Sequence, residues 1–154
     1  MKKSVKVFIL CFIFLFGLCG CSIFKLSREK FKSILEKEDY EVQDATENIG
    51  DISYVVSFDA ARSSDRTIEI RYYIFTESKY AKGFFDDKKK SMKNAAKYVS
   101  TDANAINWIN YSSYITRTNT TYSRIIRKGN TAIYIEAPAE KTANATNIIK
   151  KLGY

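Results

Sequence analysis

Tyr122-Ser123-Arg124-Ile125-Ile126-Arg127-Lys128-Gly129-Asn130-Thr131-Ala132-Ile133-Tyr134-Ile135-Glu136-Ala137 is the stretch whose reading decides the fold. Gly129-Asn130 is a two-residue hairpin turn, because a glycine enters the positive-φ backbone that such a turn needs without steric cost. The runs on either side, Tyr122 to Lys128 and Thr131 to Ala137, are then antiparallel strands, with Ile126 facing Ile133. Working outward, Trp108 to Thr116 reads as a strand that completes a meander. Pro138 fits the first turn of a closing helix. Ile148, Ile149 and Leu152 form that helix's apolar face, Lys150 and Lys151 suit its negative end, and Gly153 is placed to terminate it.

Further upstream, Thr67 to Thr76 alternates, with Ile68, Ile70, Tyr72 and Ile74 on one face and Glu69 and Arg71 on the other. Tyr54, Val56 and Phe58 mark a strand before it, and Ala60 to Asp65 reads as a loop. A short strand is expected near Tyr40 to Ala45. Between Glu77 and Val99 the apolar period becomes helical, through Ala81, Phe84, Phe85, Met92, Ala95, Ala96 and Val99, interrupted by Lys88. Gly83 costs this helix about 1 kcal/mol relative to alanine. Ser27 is an N-cap, and Leu26 with Phe31 has hydrophobic-staple spacing for a first helix that also buries Ile34 and Leu35. The expected order is αβββαβββα. The fold class is α+β, an antiparallel sheet covered by about three helices. The closing meander and helix are similar in layout to PsbP-like domains, some of which are lipoproteins; no motif is shared.

The N-terminus is of another kind. Lys2, Lys3 and Lys6 precede an apolar run from Val7 to Leu18, which is too short for the roughly 20 helical residues that span a bilayer. Leu18-Cys19-Gly20-Cys21 closes the run and resembles a lipobox, the processing site of bacterial lipoproteins. The resemblance implies cleavage between Gly20 and Cys21 and a lipid on the Cys21 thiol. Residues 1–20 are then a signal peptide, 21–26 a lipidated cysteine and short tether, and 27–154 one extracytoplasmic α+β domain. Cys11 and Cys19 leave with the signal, so the mature chain has no cysteine free for a disulfide. The implied address is the extracytoplasmic face of a cell membrane. Usage rich in Lys, Ile, Asn and Tyr fits an AT-rich Gram-positive genome; Ser22 after Cys21 leaves a Gram-negative envelope open.

Absences bound the chemistry. The chain has no histidine, which removes the commonest general base and metal ligand. With Cys21 lipidated, thiol catalysis and zinc–cysteine sites go too. No dinucleotide, P-loop or EF-hand pattern occurs. Asp86-Asp87 and Glu38-Asp39 are adjacent pairs, and neighbours on a helix point about 100° apart. A Ser-x-x-Lys spacing, Ser22 to Lys25, lies in the tether. No catalytic residue, metal or cofactor is expected.

Charge is uneven. The chain carries +8, and loss of the signal lysines brings it to +5. Residues 21–77 hold 8 basic and 12 acidic groups, whereas residues 78–154 hold 14 and 5. Lys89, Lys93 and Lys97 stack at i,i+4 with Lys82 and Lys90 beside them, an arrangement disfavoured by self-repulsion. Either this is a solvated face or it contacts an anionic partner, such as lipid headgroups or a wall polymer. Nucleic acid does not suit an exported protein. Trp108, Tyr111, Tyr114 and Tyr122 are either strand-packing residues or a stacking surface for a glycan or small ligand. Three glycosylation sequons, at Asn110, Asn119 and Asn144, are read as accidental. The expected function is a non-enzymatic, lipid-anchored interaction domain. The alternatives are a small-ligand or glycan binder, or an inhibitor or immunity-type lipoprotein blocking an envelope protein.

Overall fold

A computed structural model describes residues 26–50, 52–96 and 102–154. Cys21, the signal segment, Lys97 and Val99 lie outside the described residues. Ser27 caps helix α1 (Arg28–Glu36) by accepting from the Lys30 amide at 3.2 Å. Leu26 and Phe31 meet across that cap, both buried, as the staple spacing requires. Strands β1 (Tyr40–Asp44), β2 (Val55–Ser63) and β3 (Glu69–Phe75) follow as an antiparallel meander. Helix α2 (Ser78–Ala96) then carries the chain across the sheet to its far edge. There β4 (Asp102–Asn107), β5 (Tyr111–Arg117), β6 (Thr121–Lys128) and β7 (Thr131–Pro138) meander back until β7 pairs with β3. Helix α3 (Thr142–Lys151) closes the chain.

The result is one seven-stranded antiparallel sheet in the order β1-β2-β3-β7-β6-β5-β4. Ile126 pairs with Ile133 across the turn, where Gly129 takes φ +59°. The α+β class holds, but the strand count and order are αβββαββββα, one strand more than the periodicity implies. The extra strand is β4, whose Asp-Ala-Asn-Ala-Ile-Asn has too little apolar content to signal an edge strand. Accordingly, Trp108 to Asn110 are the turn into β5 and not its beginning. β2 continues through Ala60 to Ser63, read from sequence as a loop, since pairing with both neighbours overrides the weak propensity of alanine. Pro138 ends β7 opposite Thr121, and α3 starts four residues later after a short 3-10 turn.

Both faces of the sheet are covered, unequally. Helices α1 and α3 lie on one side, where Phe31, Leu35, Ala145, Ile148 and Ile149 pack onto Ile70, Tyr72, Tyr122, Ile126, Ile133 and Ile135. On the other side α2 sets Ala81, Phe85 and Met92 against Phe75, Tyr114, Ile125, Ala132 and Tyr134. Each such aliphatic or aromatic side chain, fully buried, contributes about 1.5–3 kcal/mol. One helix cannot span seven strands. The α2 side of β1 and β2 therefore stays open, and that gap is where the candidate site lies.

Candidate functional site on the open half of the sheet

Strand alternation aims Glu41 and Gln43 of β1, Phe58, Ala60 and Arg62 of β2, and Glu69, Arg71 and Tyr73 of β3 into the uncovered space. A 3-10 turn, Thr46–Ile49, brings Asn48 to one end, and the β2–β3 turn brings Arg66 to the other. The cavity so formed holds about 570 Å³. Its aromatic wall is continuous with the core under α2. Phe58 stacks on Tyr73 with centroids 4.6 Å apart, and Tyr73 meets Phe84 of α2 at 4.5 Å.

Three guanidinium groups and two carboxylates line this cleft. Glu69 accepts from Arg71 Nε at 2.6 Å and lies 3.9 Å from Arg62 Nη2. Glu41 accepts from Gln43 at 2.9 Å. Arg66 has φ +58°, a left-handed conformation that costs a side chain other than glycine, asparagine or aspartate of order 1 kcal/mol. Asp65 holds that turn. Its carboxylate accepts from Ser63 Oγ at 2.6 Å, from the Thr67 amide at 3.1 Å and from Thr67 Oγ1 at 2.7 Å, and pairs with Lys141. Those partners, Lys141 first, keep the Asp65 carboxyl well below the usual carboxylate range. Deeper in, Arg71 and Lys88 both approach the Tyr134 ring, at 5.8 and 3.9 Å. Burial, and then Arg71, pull the Lys88 ammonium below its ordinary pKa. Planar guanidinium forks with one carboxylate shared between two of them are suited to gripping a carboxylate or phosphate.

The sites expected from sequence fall elsewhere. Lys82 is exposed and paired with Asp86 at 2.7 Å, and Lys90 is exposed. Lys89 and Lys93 lie 5.6 and 6.0 Å from the Tyr114 ring, so part of their mutual repulsion is offset by a π face on the sheet that the helix pattern alone does not reveal. The four aromatics do not form one surface. Trp108 is 72% exposed and Tyr111 half-buried beside it, whereas Tyr114 and Tyr122 are buried on opposite faces of the sheet. Tyr114 packs under α2 and Tyr122 under α1 and α3, because both faces of these central strands are covered. Arg62, Arg66 and Arg71 carry no sequence signal of their own; the outward assignment of Glu69 and Arg71 is the nearest. Among the described residues, no group of three or more Asp or Glu is placed to hold a metal ion.

No family model matches this chain, and no curated protein does. Among solved structures, a GTP-binding regulator from Thermotoga maritima is similar at 16% identity, with a TM-score of 0.45, over 82% of this chain and 84% of that one.

Proposed function

We propose that this chain is a lipid-anchored protein of the extracytoplasmic membrane face whose domain binds an anionic envelope partner in the cleft of Arg62, Arg66 and Arg71. The anchor rests on the lipobox at Cys21. The binding role rests on one observation above the rest: three arginines converge on an open concavity with only Glu41 and Glu69 to answer them. One of the three, Arg66, keeps an arginine side chain in a backbone conformation that favours glycine. A surface turn without a task has no need of that strain. The partner chemistry is a carboxylate- or phosphate-bearing polymer or protein. Catalysis is not part of the proposal, since the cleft pairs no nucleophile with a base.

Two measurements test it. Cys21→Ala should release the protein from membranes on cell fractionation; unchanged retention refutes the lipid anchor. Titration with poly(glycerol phosphate), an anionic wall polymer, should show affinity falling about tenfold for each of Arg62→Ser and Arg66→Ser, the worth of one charged hydrogen bond. Unchanged affinity in both variants, with loss on Lys89→Ala and Lys93→Ala, would move the site to α2.

A further inference from the structure

Among the described residues, the large hydrophobic side chains that the domain leaves exposed are not scattered. They are Tyr54, Val56, Ile106, Trp108 and Ile109, at 42, 56, 41, 72 and 93% exposure. All five lie at one end of the sheet. Tyr54 ends the turn before β2, Val56 lies at the start of β2, Ile106 nears the end of β4, and Trp108 and Ile109 form the β4–β5 turn. The register places these positions level with one another. The Tyr54 carbonyl accepts from the Thr76 amide just past β3, the Phe75 amide donates to Asn130, and the Gly129 amide donates to Asn110. Val56 is the extra residue of a bulge between Val55 and Ser57, which turns it out of the ladder. Its neighbours in a surface hollow are Leu26, Ser27 and Ile74.

Leu26 therefore sits at this same end. It lies five positions along the chain from Cys21, a reach of about 17 Å when fully extended. A lipid on Cys21 would bring the bilayer to the end that carries the exposed apolar groups. From Ile74 to Asn107 the distance is four strand spacings, roughly 19 Å, so tether and β4–β5 turn can meet one plane together. The turn is also held in place. Arg127, itself buried, donates to the carbonyls of Ile109 at 2.9 Å and Trp108 at 3.2 Å, and so fixes the loop while its side chains point to solvent. Charge at this end is mixed: Glu77 is paired with Lys79 at 2.8 Å, and Lys128 donates to the Gly153 carbonyl. The lysines of the far half of α2 are not part of the surface. Lys93 lies 15 residues beyond Ser78, about 22 Å along the helix and away from the tether end.

We infer that the Trp108–Ile109 turn, with Val56 and Tyr54, docks into the headgroup–acyl boundary of the bilayer, so that the domain stands end-on with its arginine cleft facing sideways. Trp and Tyr, apolar bodies with a polar edge, suit that boundary. The inference rests on the lipid anchor proposed above. Its test separates the two. Trp108 is the sole tryptophan, so its fluorescence reports the turn alone. The full chain isolated from membranes is placed in phosphatidylglycerol/phosphatidylethanolamine vesicles whose acyl chains are brominated near the headgroup. The expected result is blue-shifted Trp108 emission that the bromolipid quenches and aqueous acrylamide does not. In a Cys21→Ala background, Trp108→Ser with Ile109→Ser should lower vesicle partitioning about tenfold or more; the exposure of both side chains keeps the core out of the comparison.

A vesicle-held chain with Trp108 open to acrylamide and untouched by bromolipid overturns the docking and leaves the anchor standing. A chain that carries no lipid refutes the anchor; docking then survives if bromolipid still quenches Trp108 and falls if it does not. Shielding of Trp108 at rising protein concentration without vesicles assigns the surface to a second copy and overturns the inference.

Discussion

Replacing Arg127 should loosen the Trp108 turn and destabilise the whole domain. Arg127 is 3% exposed, and among the described residues no carboxylate lies within bonding distance of its guanidinium. Burial lowers its pKa, and Asp86 acts on it only at range. It donates to the Ile109 and Trp108 carbonyls, to the Gly129 carbonyl at 3.5 Å, to Ser112 Oγ at 3.3 Å and to Ser78 Oγ at 3.3 Å, while its Nε is left unbonded. The two shorter charged hydrogen bonds, to the Ile109 and Trp108 carbonyls, contribute about 1.5 kcal/mol each, and the buried stem about 0.8 kcal/mol per methylene. Against these stands the cost of burying an unpaired cation. Ser112 is less affected, because its hydroxyl already donates to Asn107 at 2.8 Å. The net expectation is a loss of about 3 kcal/mol for Arg127→Ala and about 1–2 kcal/mol for Arg127→Met, which keeps the stem. Urea unfolding of the chain in mild detergent, followed by circular dichroism, measures the loss. The anisotropy of Trp108 in the native baseline, expected to fall in both variants, reads the loop. Arg127→Ala within about 0.5 kcal/mol of the parent refutes the reasoning, since surface substitutions cost no more than that. Destabilisation with unchanged Trp108 anisotropy would mean that the arginine serves the core and not the turn.

Two further outcomes are expected. The Asp44 and Asp65 carboxyls are held well below the usual carboxylate range, by Arg28 with Thr46 and by Lys141 with Ser63, respectively. Burial meanwhile pushes the Tyr40 and Tyr154 phenols up to about 12. Depressed carboxyls stabilise above their unfolded pKa near 3.9 and lose that contribution as pH falls below it; raised phenols stabilise below about 10 and lose it above. With no histidine to titrate between, the thermal midpoint should be level from about pH 5 to 8 and fall on both sides. A midpoint that moves between pH 6 and 7.5 contradicts this. Gly83 lies mid-helix with no heavy atom within 4 Å of an added Cβ, so Gly83→Ala should stabilise by about 1 kcal/mol, a rise of roughly 3–4 °C in Tm; an unchanged melt would show that α2 gains nothing from propensity there.

The sequence by itself determined whatever depends on short-range periodicity. The Gly129-Asn130 turn set the Ile126–Ile133 register, since a two-residue loop leaves no other pairing. The Leu26–Phe31 staple and the apolar stripe of α2 follow from helical period, and the absent histidine from composition. Tertiary structure alone decided which strands became neighbours. By carrying the chain to the far edge, α2 lets β7 pair with β3, and its single width leaves β1 and β2 bare; no local period encodes either fact. Arg62, Arg66 and Arg71 come from two strands and a turn, so only long-range pairing brings them together. Tyr114 and Tyr122 share a sequence character with Trp108, yet central strands covered on both faces bury them, while the Trp108 turn at the sheet end stays in solvent. Alternation tells which side chains share a face, but not which face a helix will cover.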